Sequence, residues 1–357
     1  MVQQDYRSLP TQSSQGIMKT VFQNWKSFYA SLREYKANPS KYKARPKIPG
    51  YSRSHEKEVS FSNQDCVIKE VKFLKFPKTK ERLNIGKLGF VEGKLKQVRV
   101  VPKYGHYIVE MILEIPLKQE MKESKNRLLS IDLGNDNLAT IVTNTGQRPV
   151  LVKGKNIKSV NQRYNQLKAH YIGILRQGKN EKEGLFSSKR LEKIHRKRFN
   201  QIKDLFHKAS FHVVKTALEE DVDTIVIGQN KDWKQKSNMG KKNNQSFTTI
   251  PHTLLIKMIE YKAEEHGIRV ILTEESYTSK ASFLDRDELP VYGESSDKKS
   301  FSGRRITRGM YCSKNKTLIN ADVNGSANIM RKVFPEVFEE IISNVKTLLN
   351  PTSLVLQ

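Results

Sequence analysis

The chain changes hydrophobic period several times, and each change marks a different kind of element. Val21, Phe22, Trp25, Phe28, Tyr29 and Leu32 recur three and four residues apart, which predicts a helix with its apolar stripe packed into a core. Pro39–Tyr51 (PSKYKARPKIPGY) mixes Lys and Arg with Pro and Tyr. It is a stiff basic connector, suited either to lying along a phosphate backbone or to a solvated linker. Between 58 and 116 the period falls to that of strands. Val59–Phe61, Cys66–Lys69, Val71–Leu74, Lys94–Val101 and Tyr107–Ile115 are punctuated at Asn84–Gly86, Gly93 and Pro102–Gly105. They predict a small antiparallel, barrel-like β-unit with Lys and Arg facing outward.

From Arg127 the pattern becomes α/β. Leu128–Asp132, Leu138–Thr143 and Val150–Val152 predict an antiparallel meander, with an Asn144-Thr145-Gly146 turn. Ile157, Val160, Tyr164, Leu167, Tyr171 and Ile174 form a heptad seam. A second helix starts near Ser187–Ser188 and carries Phe199, Ile202, Phe206, Ala209 and Val213 on one stripe; the Gly178–Gly184 stretch lets the pair fold back as a hairpin. Strand Thr224–Ile227, a polar segment Gly228–Ser246, helix Pro251–His266 closed by Gly267, and strand Ile268–Thr273 follow. A polar, basic insertion spans 281–318. The last helix, ADVNGSANIMRKVF, carries Gly325, Ser326 and Ala327, small enough for close packing.

Charge narrows the function. Of 357 residues, 64 are Lys or Arg and 37 Asp or Glu, a formal net charge of +27 that calls for a polyanionic partner. No apolar run is long enough to span a bilayer, no basic amphipathic helix with a clean apolar face stands out at either end, and the N-terminus has no signal-peptide core. Two cysteines, Cys66 and Cys312, are too few for a disulfide framework or a thiolate zinc site. The expectation is a cytoplasmic protein that binds nucleic acid and not a membrane. Lys189, Arg190, Lys193, Arg196, Lys197 and Arg198 on the second hairpin helix are candidate phosphate contacts, as are Arg304, Arg305 and Arg308 of the insertion. His195, His207 and His212 lack metal-ligand spacing and read as packing residues.

The candidate chemistry lies in three acids. Asp132 ends an apolar strand where a carboxylate is costly to bury without a compensating cation; the alternative is an Asp that leaves the strand early and caps the next turn. Glu274 and Glu275 stand at the carboxyl end of a late strand, where open α/β sheets build sites. Asp322 opens the last helix, either as a simple N-cap or as a third acid. Gathered carboxylates suit Mg2+, and two such ions activate water for phosphodiester cleavage.

Three stretches, IDLGNDNLAT, ESYTSK and NADVNGSANIM, together resemble the RuvC-like nuclease core of the TnpB (OrfB) proteins of insertion sequences, relatives of type V CRISPR effectors. The resemblance runs from roughly Asp5 to Val333, through RPKIPGY, the hairpin ending HKAS, and IVIGQNKDWKQ. It implies an α/β, RNase H-like (RuvC) nuclease domain at 127–335 with helical hairpin 155–218 and insertion 281–318. It also implies a helical recognition element at 1–57, a β-barrel-like wedge domain at 58–126 and a C-terminal tail at 336–357. The implied activity is RNA-guided, Mg2+-dependent cleavage of double-stranded DNA, with a guide RNA derived from the mobile element. Asp132 and Asp322 carry over as metal-ligating acids. Many members place the middle Glu where Gly228 stands here; one branch, shared with Fanzor relatives, uses a Glu before the TS-K motif, which corresponds to Glu275, with Glu274 the runner-up. Most members have a four-cysteine zinc ribbon, but here only Cys312 remains, with Ser282 and Asp285 near the other thiol positions, so no structural zinc is expected. Members also begin with a strand and helix ahead of what is here Asp5, and a late start predicts impaired cleavage. The alternatives are a nuclease-impaired, RNA-guided repressor and, with less support, a DDE-type transposase.

Overall fold

The computed structural model describes residues 4–51, 56–90, 93–116, 120–180, 183–229, 250–290 and 300–356. The chain divides into two units, Met1–Pro116 and Leu117–Gln357.

The first unit holds helices α1 (Gln4–Ser8) and α2 (Thr11–Ala37) and strands β1 (Val59–Ser62), β2 (Val67–Lys69), β3 (Phe73–Lys75), β4 (Arg82–Asn84), β5 (Lys94–Lys103) and β6 (His106–Glu114). Among the described residues the expected barrel-like unit is two antiparallel three-stranded sheets, ordered β1-β5-β6 and β2-β3-β4. Cys66, Leu74 and Val98 form their small core. The strand expected at Val71–Leu74 starts later, at Phe73, because Glu70 and Val71 take left-handed backbone angles (φ 55° and 52°) in a tight turn.

The apolar stripe of α2 corrects an expectation. It does not pack into a core: Val21, Phe22, Trp25 and Tyr29 are exposed, Phe22 by 72%. The helix is anchored instead at its first turns, where Ser13 Oγ donates to the Ser60 carbonyl (2.6 Å) and Ser14 Oγ to the Tyr6 carbonyl (2.7 Å). Helical periodicity shows that a face is apolar, and it does not show that anything covers it.

The second unit contains β7 (Leu128–Asp132), β8 (Asn137–Thr143), β9 (Val150–Lys153), α3 (Lys155–Arg176), α4 (Lys189–Glu219), β10 (Thr224–Gly228), α5 (His252–Glu264) and β11 (Arg269–Thr273). It continues with β12 (Arg304–Thr307), β13 (Met310–Cys312), β14 (Leu318–Asn320), α6 (Ala321–Val333), α7 (Val337–Ser343), α8 (Val345–Leu348) and β15 (Thr352–Val355). A six-stranded sheet is ordered β11-β10-β7-β8-β9-β15. The meander β7-β8-β9 is antiparallel, whereas β10 runs parallel to β7, β11 to β10, and β15 to β9. The stretch read from sequence as a tail therefore supplies an edge strand, and Val337, Ile341 and Leu348 join the core beside it. A strand of four residues is too short to announce itself by period alone.

Side-chain alternation sorts the sheet's two faces. Leu129, Ile131, Ile225 and Ile227 pack against Phe206, Ala209 and Val213 of α4 and Leu255 and Ile259 of α5. Leu128 and Val142 face the other way, towards Val323, Ala327 and Met330 of α6. Asp132 lies in phase with Leu128 and Ser130, and so on the α6 side. Beside these apolar contacts, the underside of α6 carries small and polar side chains. Ser326 Oγ donates to the Thr140 carbonyl and meets Ser130 Oγ, both at 3.0 Å. Asn324 accepts from Phe283 N (2.9 Å) and donates to the Ala281 carbonyl (2.8 Å), while Asn328 donates to the carbonyls of Thr278 and Ala281 (2.9 and 2.8 Å). Among the described residues no helix is long and apolar enough to cross a membrane.

Candidate active site

Sheet register brings the acids to one end. Ile131 of β7 pairs with Ile227 of β10, so Asp132 and Gly228 stand one residue further on, and Gly228 pairs with Thr273 of β11. Glu275 follows two residues later. Its Oε2 sits where a side chain on Gly228 would be: a Cβ there would lie 2.8 Å from that oxygen and 2.6 Å from Ile329 Cδ1. Asp132 makes a matching close approach to α6, with Oδ2 2.8 Å from the Cβ position of Gly325. The two glycines leave room for the two carboxylates.

Asp322 sits in the first turn of α6. The N-cap is Asn320, whose Oδ1 accepts from Asp322 N (3.0 Å) and Val323 N (3.2 Å). That overturns the plain-cap reading of Asp322 and frees its carboxylate for other partners. Asn137 Nδ2 donates to Asp322 Oδ2 (2.7 Å), and Lys153 Nζ donates to Asn137 Oδ1 (3.0 Å). Arg305 Nη2 lies 3.4 Å from the other oxygen, Oδ1.

Electrostatics tie the acids together. Desolvation, then the charge of Asp322, push the Asp132 carboxyl up to about 7, with Arg305 offsetting part of the rise. Desolvation, then Asp132 and Glu274, push Glu275 up to about 8, against the pull of Lys332. Glu274 behaves differently. Burial raises it, but hydrogen bonds from Lys332 Nζ and Ser276 N (3.0 Å) outweigh that, and it titrates below the usual carboxylate range. Of the two adjacent glutamates, Glu274 is engaged by Lys332, and Glu275 is the one that senses Asp132.

Among the described residues no group of three or more His, Cys, Asp or Glu side chains is close enough as it stands to hold a metal ion. The donor set nevertheless fits one. It is all oxygen, as Mg2+ prefers, and burial, then the charge of neighbouring carboxylates, disfavours ionisation of Asp132 and Glu275, a penalty that a divalent cation would relieve. A stability prediction follows. Asp132 and Glu275 hold their protons to higher pH when folded than when unfolded, so their contribution is complete below the ordinary carboxylate range and is lost as pH rises through about 7 and 8. Melts in EDTA from about pH 5 to about pH 8 should show a falling midpoint, flattened in Asp132→Asn or by Mg2+. A midpoint that rises over that range refutes the assignment.

The basic candidates separate into two sets. Arg190 and Arg198 lie over the rings of Tyr171 and Tyr164 (4.9 and 4.8 Å), and Arg198 Nε also donates to Asn161 Oδ1 (2.7 Å), so both are tied into the α3–α4 packing. His195 Nδ1 joins the same seam opposite Tyr164 Oη at 2.9 Å. Lys189, Lys193 and Lys197 form an exposed stripe, while Arg196 is half-buried. In the insertion, Arg305 reaches Asp322, Arg308 Nε reaches Asp136 Oδ2 (2.8 Å), and Arg304 is exposed. Ser282 and Asp285 are hydrogen-bonded to each other (2.6 Å), and Lys314 N donates to the same Asp285 oxygen (2.8 Å). Sequence reasoning missed Asn137, Lys153 and Lys332, because lone polar residues carry no periodic signal. The segment 230–249, with the whole NKDWKQ stretch, lies outside the described residues.

Residues 106–234 match the OrfB_IS605 family, described as a probable transposase, and residues 252–329 match the Cas12f1-like TNB domain. A TnpB-like protein, ORF457, of Acidianus two-tailed virus is 26% identical over 228 residues, covering 62% of this chain and 45% of that protein. This chain thus spans less than half the length of that relative. Among solved structures, a Cas12f1–sgRNA–target DNA complex is similar with a TM-score of 0.39 and 14% identity, covering 85% of this chain and 76% of the other. A CRISPR-Cas12f ternary complex gives 0.39 and 13%, covering 85% and 69%. The mini-RNA-guided endonuclease CRISPR-Cas_phi3 gives 0.37 and 14%, covering 77% and 54%.

Proposed function

Since this chain belongs to the TnpB (OrfB) family, we propose that it is an RNA-guided, Mg2+-dependent DNA endonuclease of a mobile element. One observation carries this reading: Asp132, Glu275 and Asp322, delivered from distant parts of the chain, come to one end of one sheet, with Glu275 Oε2 over Gly228 of the strand beside Asp132 and Asp132 Oδ2 against α6, the helix that carries Asp322 in its first turn. The strand order, with an antiparallel meander continued on one side by two strands, β10 and β11, that run parallel to β7, supports an RNase H-like (RuvC) core across 127–335. In this reading 1–57 is the recognition element and 58–126 the wedge.

Asp132, Glu275 and Asp322 would hold the metal. Bound there, Mg2+ supplies an activated water and charge stabilisation for the leaving oxygen. The rest is done by the chain's own side chains. Asn137, backed by Lys153, holds Asp322 in one orientation. Lys332 draws Glu274 aside, which leaves Glu275 as the acid facing Asp132. The +27 charge and the Lys189, Lys193 and Lys197 stripe provide sequence-independent attraction for guide and target backbones.

The test is to co-purify the protein with its bound RNA, sequence that RNA, and assay cleavage of a matching duplex with Mg2+ and with EDTA. Guide-dependent cleavage that EDTA abolishes is expected. Tight guide-dependent binding without cleavage favours the repressor reading, and strand joining without a guide favours a transposase.

A further inference from the structure

Asp322 has two unlike partners. Its Oδ2 is held at 2.7 Å by Asn137, itself fixed by Lys153. Its Oδ1 faces Arg305 at 3.4 Å through a single nitrogen. A well-made guanidinium–carboxylate contact is shorter and often two-pronged, so the Arg305 side is the loose one. The side chain is 42% exposed and that of Asp322 31%, which leaves the arginine free to turn.

The backbone beneath Arg305 is firmly placed. Arg305 pairs across the strands with Tyr311, and Tyr311 with Ile319. Tyr311 and Ile319 are buried, and Tyr311 Oη donates to the Lys280 carbonyl at 2.7 Å. β14 then runs directly into α6, which carries Asp322, so arginine and acid share one rigid frame. Arg308, near the turn of the same hairpin, pins that turn to Asp136. Arg304 is out of phase with Arg305 on the strand and cannot substitute for it. The planar fork of a guanidinium matches a phosphate as well as a carboxylate.

We propose that Arg305 is an exchangeable counter-cation: it neutralises Asp322 Oδ1 when no metal is bound, competes with a divalent ion for that oxygen, and once displaced contacts a phosphate oxygen of the DNA strand being cut. The proposal rests on the nuclease reading above. It assigns Arg305 a role that neither a surface ion pair nor a general backbone contact would have. A static ion pair on Asp322 predicts that removing the arginine raises metal affinity without slowing turnover, and a general backbone contact predicts unchanged affinity; exchange predicts that affinity rises while turnover falls.

The experiment titrates the protein with Mn2+ alone, followed by electron paramagnetic resonance, and measures single-turnover cleavage of a guide-matched duplex in parallel. For Arg305→Ala, Mn2+ binding should tighten about 2- to 5-fold, the scale of a partly exposed ion pair. Its cleavage should slow about 100-fold, the scale of one lost charge-stabilising donor. Arg305→Lys keeps the charge but not the fork, and should bind Mn2+ as the unmutated protein does while cleaving at an intermediate rate. Weaker or unchanged Mn2+ affinity in Arg305→Ala, with thermal midpoints matched, overturns the proposal. Unmutated protein that takes up no Mn2+, or whose uptake is indifferent to Asp132→Asn, overturns the nuclease reading itself, and this proposal with it.

Discussion

Replacing Glu275 by alanine is expected to slow Mg2+-dependent cleavage by at least about 10³-fold, the upper range for loss of one group that stabilises developing charge. Glu274→Ala should stay within about 10-fold of the unmutated rate and lower stability by about 1 kcal/mol, as a partly exposed ion pair does. The asymmetry comes from neighbours. Glu275 occupies the space above Gly228 and senses the charge of Asp132. Glu274 is hydrogen-bonded to Lys332 and to Ser276 N and points its charge there. Single-turnover assays at saturating guide and Mg2+, with melts as controls, separate the two variants. Should Glu274→Ala be the dead one, the middle acid has been misassigned and the site must be rebuilt around the Lys332 pair.

Gly325→Ala should divide stability from activity. In an ordinary helix interior the change favours folding by about 1 kcal/mol. Here the added Cβ would stand 2.8 Å from Asp132 Oδ2, closer than packed atoms tolerate, and the carboxylate must shift to admit it. Small displacements of a reacting group cost about 100-fold in rate, so cleavage should drop on that scale while the thermal midpoint stays near that of the unmutated protein. A variant that cleaves normally shows that Asp132 tolerates the shift and is not held to tight geometry.

The two predictions mark where sequence was readable and where it was not. The α/β half was legible because its strands are short, mostly apolar runs ended by turn residues, as at Leu128–Asp132 and Thr224–Gly228. Asp132 was legible because a carboxylate interrupting such a run is conspicuous. Glu275 could not be told from Glu274, because both follow the strand and Lys332, which engages Glu274, lies 57 positions beyond Glu275 along the chain. The α2 stripe misled for a related reason: Phe22 and Trp25 have core spacing, yet burial depends on a partner that local pattern does not encode. β15 escaped because its four residues gain strand character from pairing with β9. The arginines of α4 were identified as basic, but Tyr164 and Tyr171 determine that Arg198 and Arg190 pack against α3.

The hydrogen-bonded seat of α6 has a consequence for tolerance to change. A greasy helix on a greasy sheet can slip by a turn at modest expense, since one methyl group substitutes for another. For α6, a slip of about 5.4 Å would strand the amides of Asn324 and Asn328 and the hydroxyl of Ser326, each orphaned group costing about 1–3 kcal/mol. The helix thus has a single docking register, and the acid on its first turn inherits it. Surface drift elsewhere in the protein can accumulate without moving Asp322 relative to Asp132, whereas a single apolar replacement on that underside would unlatch both.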